Sequence, residues 1–410
     1  MNIKLNYNIY LLIIGNFISQ MGTIIYNIAI SWWLIKLTGS AEYISYVLAA
    51  SLIPAVFLGP ISGALVDRIN KKATLIWTDV ISGCLTIGIG IMVYLNFFNI
   101  WLLIIFSFLL GVNITLFKPT ARSIMPVIAS KEELLKANSL LSSSSAMTKI
   151  LGPFIGGVIL AVPYLGVTGA FIINGFSFII SAICEMFIKY NHIKLESKSV
   201  SLLKDIKEGI QYTFSNPFIR DLLLVGFMVN IFLGSLYILL PLYINNFLHE
   251  SSQLYSYLLT SEAIGGMLIG LILAKANLGA SYKNLSWSII LIGVSLTLMS
   301  VFTDKLILLF AMCLVGFFQV ALDTLFFSYI QINVDKEKLG RVFSIVFMLS
   351  TLALQISYVI FGFLGIYILE YAFMLLGVCI VLCSTPLLIQ ILKERKERKE
   401  RKENKVNHSL

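Results

Sequence analysis

Charge is scarce in this chain. Lys, Arg, Asp and Glu supply 12% of its 410 residues, against 58% hydrophobic residues and a mean hydropathy of +0.90. An average soluble protein carries about 25% charged residues, so a soluble globular fold is excluded and most of the surface must face lipid. Histidine is also scarce. His192, His249 and His408 all fall outside the apolar runs, which excludes a histidine relay across a membrane. The five cysteines (Cys84, Cys184, Cys313, Cys379, Cys383) lie inside apolar runs and lack disulfide or zinc spacing. Cys379 and Cys383, four apart, read as packing on one helix face. No G-x-x-x-x-G-K-[S/T] phosphate loop occurs, and no polar region is large enough to hold a nucleotide, so a primary pump is excluded. No catalytic cluster, cofactor site or metal set can be read, and the chain is expected not to be an enzyme. The first apolar run, from about Tyr7 to Leu34, is too long for the h-region of a cleavable signal.

What the chain has is apolar length. Twelve segments between Tyr7 and Leu392 each approach the roughly 20 residues needed to cross about 30 Å of hydrocarbon. They lack the alternation of barrel strands, so an all-α integral membrane protein of twelve transmembrane helices is predicted. With that assignment 27 of the 30 Lys and Arg fall on one side, leaving Lys36 and Lys305 opposite and Lys149 within a span. The positive-inside rule then puts both termini in the cytoplasm. It also explains the net charge of +9 without nucleic acid.

The organisation predicted is a six-helix half over residues 1–190, a linker over 191–220, a second six-helix half over 221–392 and a charged tail over 393–410. Within the linker Leu203, Ile206, Ile210 and Phe214 recur at helical spacing opposite charged residues, which predicts an amphipathic helix on the cytoplasmic membrane surface. The tail alternates basic and acidic residues and reads as solvated, with attraction to anionic lipid as the alternative. The halves match at an offset of 205. Gly111 corresponds to Gly316, Ser123 to Ser328, and the loop Ser130–Lys136 to Asp335–Arg341. Ser130 with Glu133 fits a capping box. Internal duplication of this kind typifies secondary transporters.

After the second span comes Gly63-Ala-Leu-Val-Asp67-Arg68-Ile-Asn70-Lys71-Lys72. It resembles the signature loop of the major facilitator superfamily, G-x-x-x-D-R-x-G-R-K, with Asn70 where the inner glycine is usual. Asn tolerates the left-handed backbone that a glycine there often supplies. Span five carries Gly152-Pro153-Phe-Ile-Gly156-Gly157, which resembles the antiporter motif of superfamily exporters, with Thr148 where a further glycine is usual. An ordinary kinked packing helix is the alternative. Ser19–Gly22, Lys131–Asn138 and Lys207–Gly209 look like the drug:proton antiporter branch that includes macrolide efflux proteins and siderophore exporters. Many members of that branch have an acidic residue after the glycine of span one; here it is Thr23, which puts proton coupling through that span in doubt.

The resemblance implies a multi-pass transporter of the inner, cytoplasmic membrane. It would act as a monomer, exporting a drug-like or natural-product amphipathic solute of macrolide type in exchange for protons, and so confer antibiotic resistance by multidrug efflux. A siderophore or lipid exporter, an uptake symporter and a non-transporting membrane sensor are the alternatives. The partners expected are a small-molecule substrate, protons and the lipid bilayer, with no cofactor and no nucleic acid.

Acidic residues inside a bilayer are costly and by default functional. Glu262 lies about eight residues, roughly 12 Å, into span eight and is the first candidate for a proton site. Lys149, one turn before Pro153, is either its ion-pair partner or a side chain reaching the cytoplasm. Asp323 is a second proton candidate. It is equivalent to Lys118 at offset 205, and the two read either as an inner-gate pair or as separately hydrated charges. Asp79 and Glu185 lie within about two turns of cytoplasmic helix ends, where water and loop cations are expected to reach them. On span one Asn16, Gln20, Thr23, Asn27 and Ser31 share a face, as do Asn230 and Tyr237 on span seven. In the resembled fold spans one, four, seven and ten line a central cavity. Asn113, Gln319, Tyr26, Trp32, Trp33 and Phe326 would then join its wall, with helix-packing contacts as the alternative.

Overall fold

The computed structural model describes residues 6–189, 211, 213, 215–275, 281–334 and 339–392, and among these every regular element is a helix. The first six are α1 (Tyr7–Thr38), α2 (Ala41–Arg68), α3 (Lys71–Tyr94), α4 (Ile100–Ile128), α5 (Lys131–Ala161) and α6 (Gly166–Met186). The second set comprises α7 (Pro217–Gly234), α8 (Leu236–Leu242) with a π turn over Tyr243–Phe247, α9 (Ser252–Lys275), α10 (Tyr282–Val301), α11 (Lys305–Asn333), α12 (Leu339–Ile368) and α13 (Ala372–Cys383). Among the described residues eleven helical stretches are long and apolar enough to cross a membrane. The last, Ile345–Leu392, has 48 residues, about 72 Å if straight and more than twice the hydrocarbon thickness. A 3-10 turn at Leu369–Tyr371 divides it into α12 and α13.

Short polar residues start the helices. Ser40, Asn99, Ser281 and Asp304 each accept a backbone N–H from the first turn of the helix that follows. Gly39 closes α1 in the left-handed region (φ 66°), its N–H donating to the Ile35 carbonyl at 2.7 Å. Asn70 departs from the expected left-handed backbone. It is extended (φ −71°, ψ 105°), and its side chain accepts the Ala73 N–H at 3.1 Å, so the residue in the glycine's place works as the N-cap of α3. The capping box at α5 is formed, and Glu133 also accepts the Asn6 N–H at 2.6 Å, which ties the start of α1 to the start of α5. The Ser130 backbone N–H, with that of Asn6, holds the Glu133 carboxyl below the usual range. Span seven begins at Pro217, earlier than hydropathy suggests, because a proline at the first helical position loses no hydrogen bond. Of the expected linker helix over 203–214 only Gln211 and Thr213 are described; residues 335–338 and the tail 393–410 lie outside the described residues.

In the first bundle α3 packs on α6 and α4, α2 on α4, and α1 on α5 and α6. In the second α10 packs on α11 and α13, and α7 on α13. Two glycine crossings recur in both. A Cβ at Gly111 on α4 would meet the Ser51 carbonyl oxygen of α2, and one at Gly316 on α11 would meet the Glu262 carbonyl oxygen of α9. These are the glycines matched at offset 205. Gly83 and Gly175 face each other where α3 crosses α6, as Gly293 and Gly377 do where α10 crosses α13. Backbones approach this closely only where side chains are absent.

By compactness the chain forms two units: Met1–Leu202 with Ser235–Thr260 and Gln355–Leu369, and Leu203–Gly234 with Ser261–Leu354 and Glu370–Leu410. Each boundary in the second half cuts through a span, the first at the break between α7 and α8. Inside the first unit, two stretches of the second half are bound to α1, α2 and α5. Asn246 donates to the Gly39 carbonyl at 2.9 Å and Gln355 to that of Ala49 at 3.2 Å. Trp32 stacks on Tyr255 at 6.2 Å, and Gly362 lies against Ser45.

Candidate functional site

The second unit encloses a cavity of about 250 Å³ between α7, α10, α11 and α12. Gln319, Leu322, Asp323 and Phe326 face it from α11 at the i, i+3, i+4, i+7 spacing of one helical face. Asn230 lines it from α7, one turn beyond Gly226, whose carbonyl accepts the Asn230 amide at 2.8 Å. The absence of a side chain at Gly226 admits the ring of Phe326, which a Cβ would touch at 2.9 Å. Phe327 sits 5.7 Å from Phe326 and 6.0 Å from Phe347, completing an aromatic wall. Among the described residues the lining thus holds one acid, two amides and several aromatic rings among aliphatic residues, and no cation. Such a surface offers apolar contact area, a few oriented hydrogen bonds and one negative charge.

Three residues expected on a substrate path, Asn230, Gln319 and Phe326, are therefore brought together here with Asp323, expected as a proton or gate residue. Tyr237 belongs to the first unit, half-exposed, with its ring 6.4 Å from that of Tyr358. Asn113 is buried inside the first bundle and donates to the Ser82 hydroxyl at 3.1 Å, a contact between α4 and α3. Along α1, Asn16 accepts from Gln20 at 3.0 Å, Gln20 accepts from Ser145 of α5 at 3.2 Å, Thr23 donates to the Ser19 carbonyl at 2.8 Å, and Asn27 is exposed. Tyr26 packs on Phe171 at 5.3 Å, and Trp33 packs edge-on against Phe171 at 6.3 Å.

Glu262 is half-buried on α9, in the turn whose backbone meets Gly316, and the adjacent Ser261 donates to the Leu309 carbonyl at 2.6 Å. Lys149 and Lys118 are exposed on α5 and α4 of the first unit. In the signature loop, Lys72 donates to the Met186 carbonyl at the end of α6 at 2.7 Å, where a cation complements the helix dipole. Lys71 is buried, its ammonium 3.5 Å from the Ser123 carbonyl. The side chains of Gly63, Asp67 and Arg68 lie outside the described residues. Gly152, Pro153, Gly156 and Gly157 are all buried along α5, which continues through the proline. A Cβ at Gly152 would press on Ile24 of α1 at 2.6 Å, and one at Gly157 on Ser256 of α9 at 2.5 Å.

Asp79 and Glu185 differ from expectation. Water does not reach them: they are 3% and 1% exposed on the α3 and α6 faces that pack together. The signal was in the sequence, since Leu75, Asp79, Ser82, Gly83 and Thr86 trace the buried face of α3.

Residues 12–356 match the family described as Major Facilitator Superfamily. Macrolide efflux protein A of Streptococcus pyogenes is 24% identical over 370 residues, 88% of this chain and 89% of that protein. The staphyloferrin A transporter of Staphylococcus aureus is 26% identical over 367 residues, 86% of this chain and 88% of its own length. Among solved structures, a nucleoside transporter superposes with a TM-score of 0.74 at 12% identity, covering 94% of this chain and 99% of that one. A bacterial homologue of the human lysosomal transporter Spinster, inward-facing and occupied, gives 0.74 at 10% identity, covering 93% and 96%.

Proposed function

We propose that this chain, which belongs to the major facilitator superfamily and is a multi-pass membrane transporter, exports a bulky basic amphipathic solute such as a macrolide in exchange for protons. The observation that carries the solute class is the cavity of the second unit, whose lining among the described residues has one ionisable side chain, the acid Asp323. Aromatic and aliphatic walls suit the apolar body of such a solute, Asn230 and Gln319 its hydroxyl and carbonyl groups, and Asp323 its amine. Export is the direction named for the streptococcal relative.

In this reading the chain spans the membrane twelve times, α12 and α13 counting separately, with both termini in the cytoplasm. Antiport asks for a carboxyl that gains and loses a proton as access alternates. Glu262 is proposed for that part because it stands on α9 at a rigid backbone crossing. Lys118 with Asp323, Lys149 with Glu262 and the signature loop are proposed as contacts remade during the cycle.

The test is flux in proteoliposomes under an imposed pH gradient, with a panel of macrolides, for wild type and Glu262→Gln. Gradient-driven flux in wild type and its loss in Glu262→Gln, with binding retained, is expected. Flux that ignores the gradient contradicts antiport, and a fully active variant removes the proton from Glu262.

A further inference from the structure

Two carboxyls in the interior of the first bundle have oxygens left unsatisfied. Neither oxygen of Glu185 and not Oδ2 of Asp79 has a hydrogen bond, although Asp79 is 3% and Glu185 1% exposed. The two are near enough to act on each other electrostatically. The Ser181 hydroxyl lies beside Asp79 and is itself unsatisfied.

The cations of the surrounding helices are directed elsewhere. On α3, Lys71 and Lys72 reach the Ser123 and Met186 carbonyls. Lys118 and Arg122 lie on α4, both toward solvent or lipid, and Lys136 and Lys149 are exposed on α5. On α1 the single described cation, Lys36, stands in the last turn, at the far end of the helix. Just past α6, the Lys189 backbone is tied to Asn8. The other titratable neighbour is the Cys184 thiol. Among the described residues no cation forms an ion pair with either carboxyl.

Packing does not call for acids here. The reciprocal glycines set the register between the bundles: Asp79 is four residues before Gly83, and Ile289 is four before Gly293. Glu185 is ten residues after Gly175, and Leu387 is ten after Gly377. Ile289 and Leu387 are each 1% exposed and border the cavity of the second unit, so the second bundle has aliphatic side chains in the equivalent places. A fold that accepts Ile and Leu at this crossing has no structural need for two carboxyls.

We propose that Asp79 and Glu185 together form a proton-binding site inside the first bundle. Two carboxylates in one dry site, with no described cation paired to either, are not both ionised, so one of the pair carries a proton taken from water. Asp79 stands eight residues along α3, about 12 Å, and Glu185 is one residue from the end of α6, so the proton has a short path to the charged loops. The site itself is independent of Glu262. Its use in coupling rests on the antiport reading.

The test is infrared difference spectroscopy of the purified full-length protein between mildly acidic and alkaline pH, for wild type, Asp79→Asn with Glu185→Gln, and Glu262→Gln. A protonated-carboxyl band that titrates in wild type, is lost in the double variant and persists in Glu262→Gln is expected. A band unchanged in the double variant, or no band in wild type, overturns the proposal. Should the double variant not fold, wild type with carbon-13 glutamate carboxyls decides: the band must move, and an unmoved band overturns it. Because the band is read without any solute, its failure is distinguishable from failure of the antiport reading.

Discussion

Where α3 crosses α6 the first six helices bury Asp79 and Glu185; at the equivalent register the second six bury Ile289 of α10 and Leu387, four residues past the end of α13, at the edge of the cavity. The difference extends through both interiors. Among the described residues, every buried amide and charged side chain (Asn8, Asn16, Lys71, Asp79, Asn113, Asn174, Glu185) precedes residue 190, whereas the buried polar residues of the second half are all Ser or Thr. Asn230, Gln319 and Asp323 of the second half instead face its cavity. Glycine crossings make the two backbones alike, and their interiors are free to differ. Polar groups buried in one bundle and gathered around a cavity in the other frame the two proposals as a division of labour, with the Asp79–Glu185 proton site in the first bundle and solute binding, alongside the Glu262 proton site on α9, in the second half.

The largest effect expected is on the feature the bundles share. Gly111→Leu and Gly316→Leu each drive a side chain into a backbone carbonyl, and each should lose about 3 kcal/mol or more, read as loss of monodisperse protein in detergent. Tolerance at one site and collapse at the other would break the equivalence of the crossings. Next, Phe326→Ala should raise the half-saturating macrolide concentration about tenfold, or about 1.4 kcal/mol, with little change in thermal stability. Asn113→Leu should do the reverse, costing about 0.6 kcal/mol of stability through its lost bond to Ser82 while flux is unchanged. An equal effect of both on flux would erase the contrast between the interiors.

The smallest effect lies outside the membrane. The Glu133 carboxyl is held below its usual range by N–H donors, so its contribution is present above the unfolded value and fades as pH falls through the folded one. Glu133→Gln should therefore be less stable than wild type at neutral pH, the gap closing under acid. Thermal unfolding across pH checks this, and a gap that widens in acid contradicts it.

Hydropathy made the spans legible, and the Ser130–Glu133 cap could be read from two residues. The face of α11 was equally legible, since Gln319, Leu322, Asp323 and Phe326 repeat at helical spacing. What sequence could not supply was the partner of each face. Asn113 and Asn230 look alike as mid-span amides, yet one is bound to Ser82 and the other lines a cavity. Asp79 and Glu185 were misjudged because distance from a helix end was used as a measure of hydration. Burial depends on which helix lies opposite, and for these two the opposing helix is the other's.

The division of labour is tested most directly by measuring binding and gradient-driven flux of one macrolide side by side in two variants. Asp79→Ile with Glu185→Leu copies the second bundle's interior into the first; Gln319→Leu with Phe326→Ala strips the cavity. The account predicts that the first variant is at least as stable as wild type and binds the macrolide normally while its flux no longer responds to the pH gradient. It predicts that the second keeps the gradient response and binds weakly. Gradient-driven flux intact in the first variant, or normal binding in the second, would contradict it.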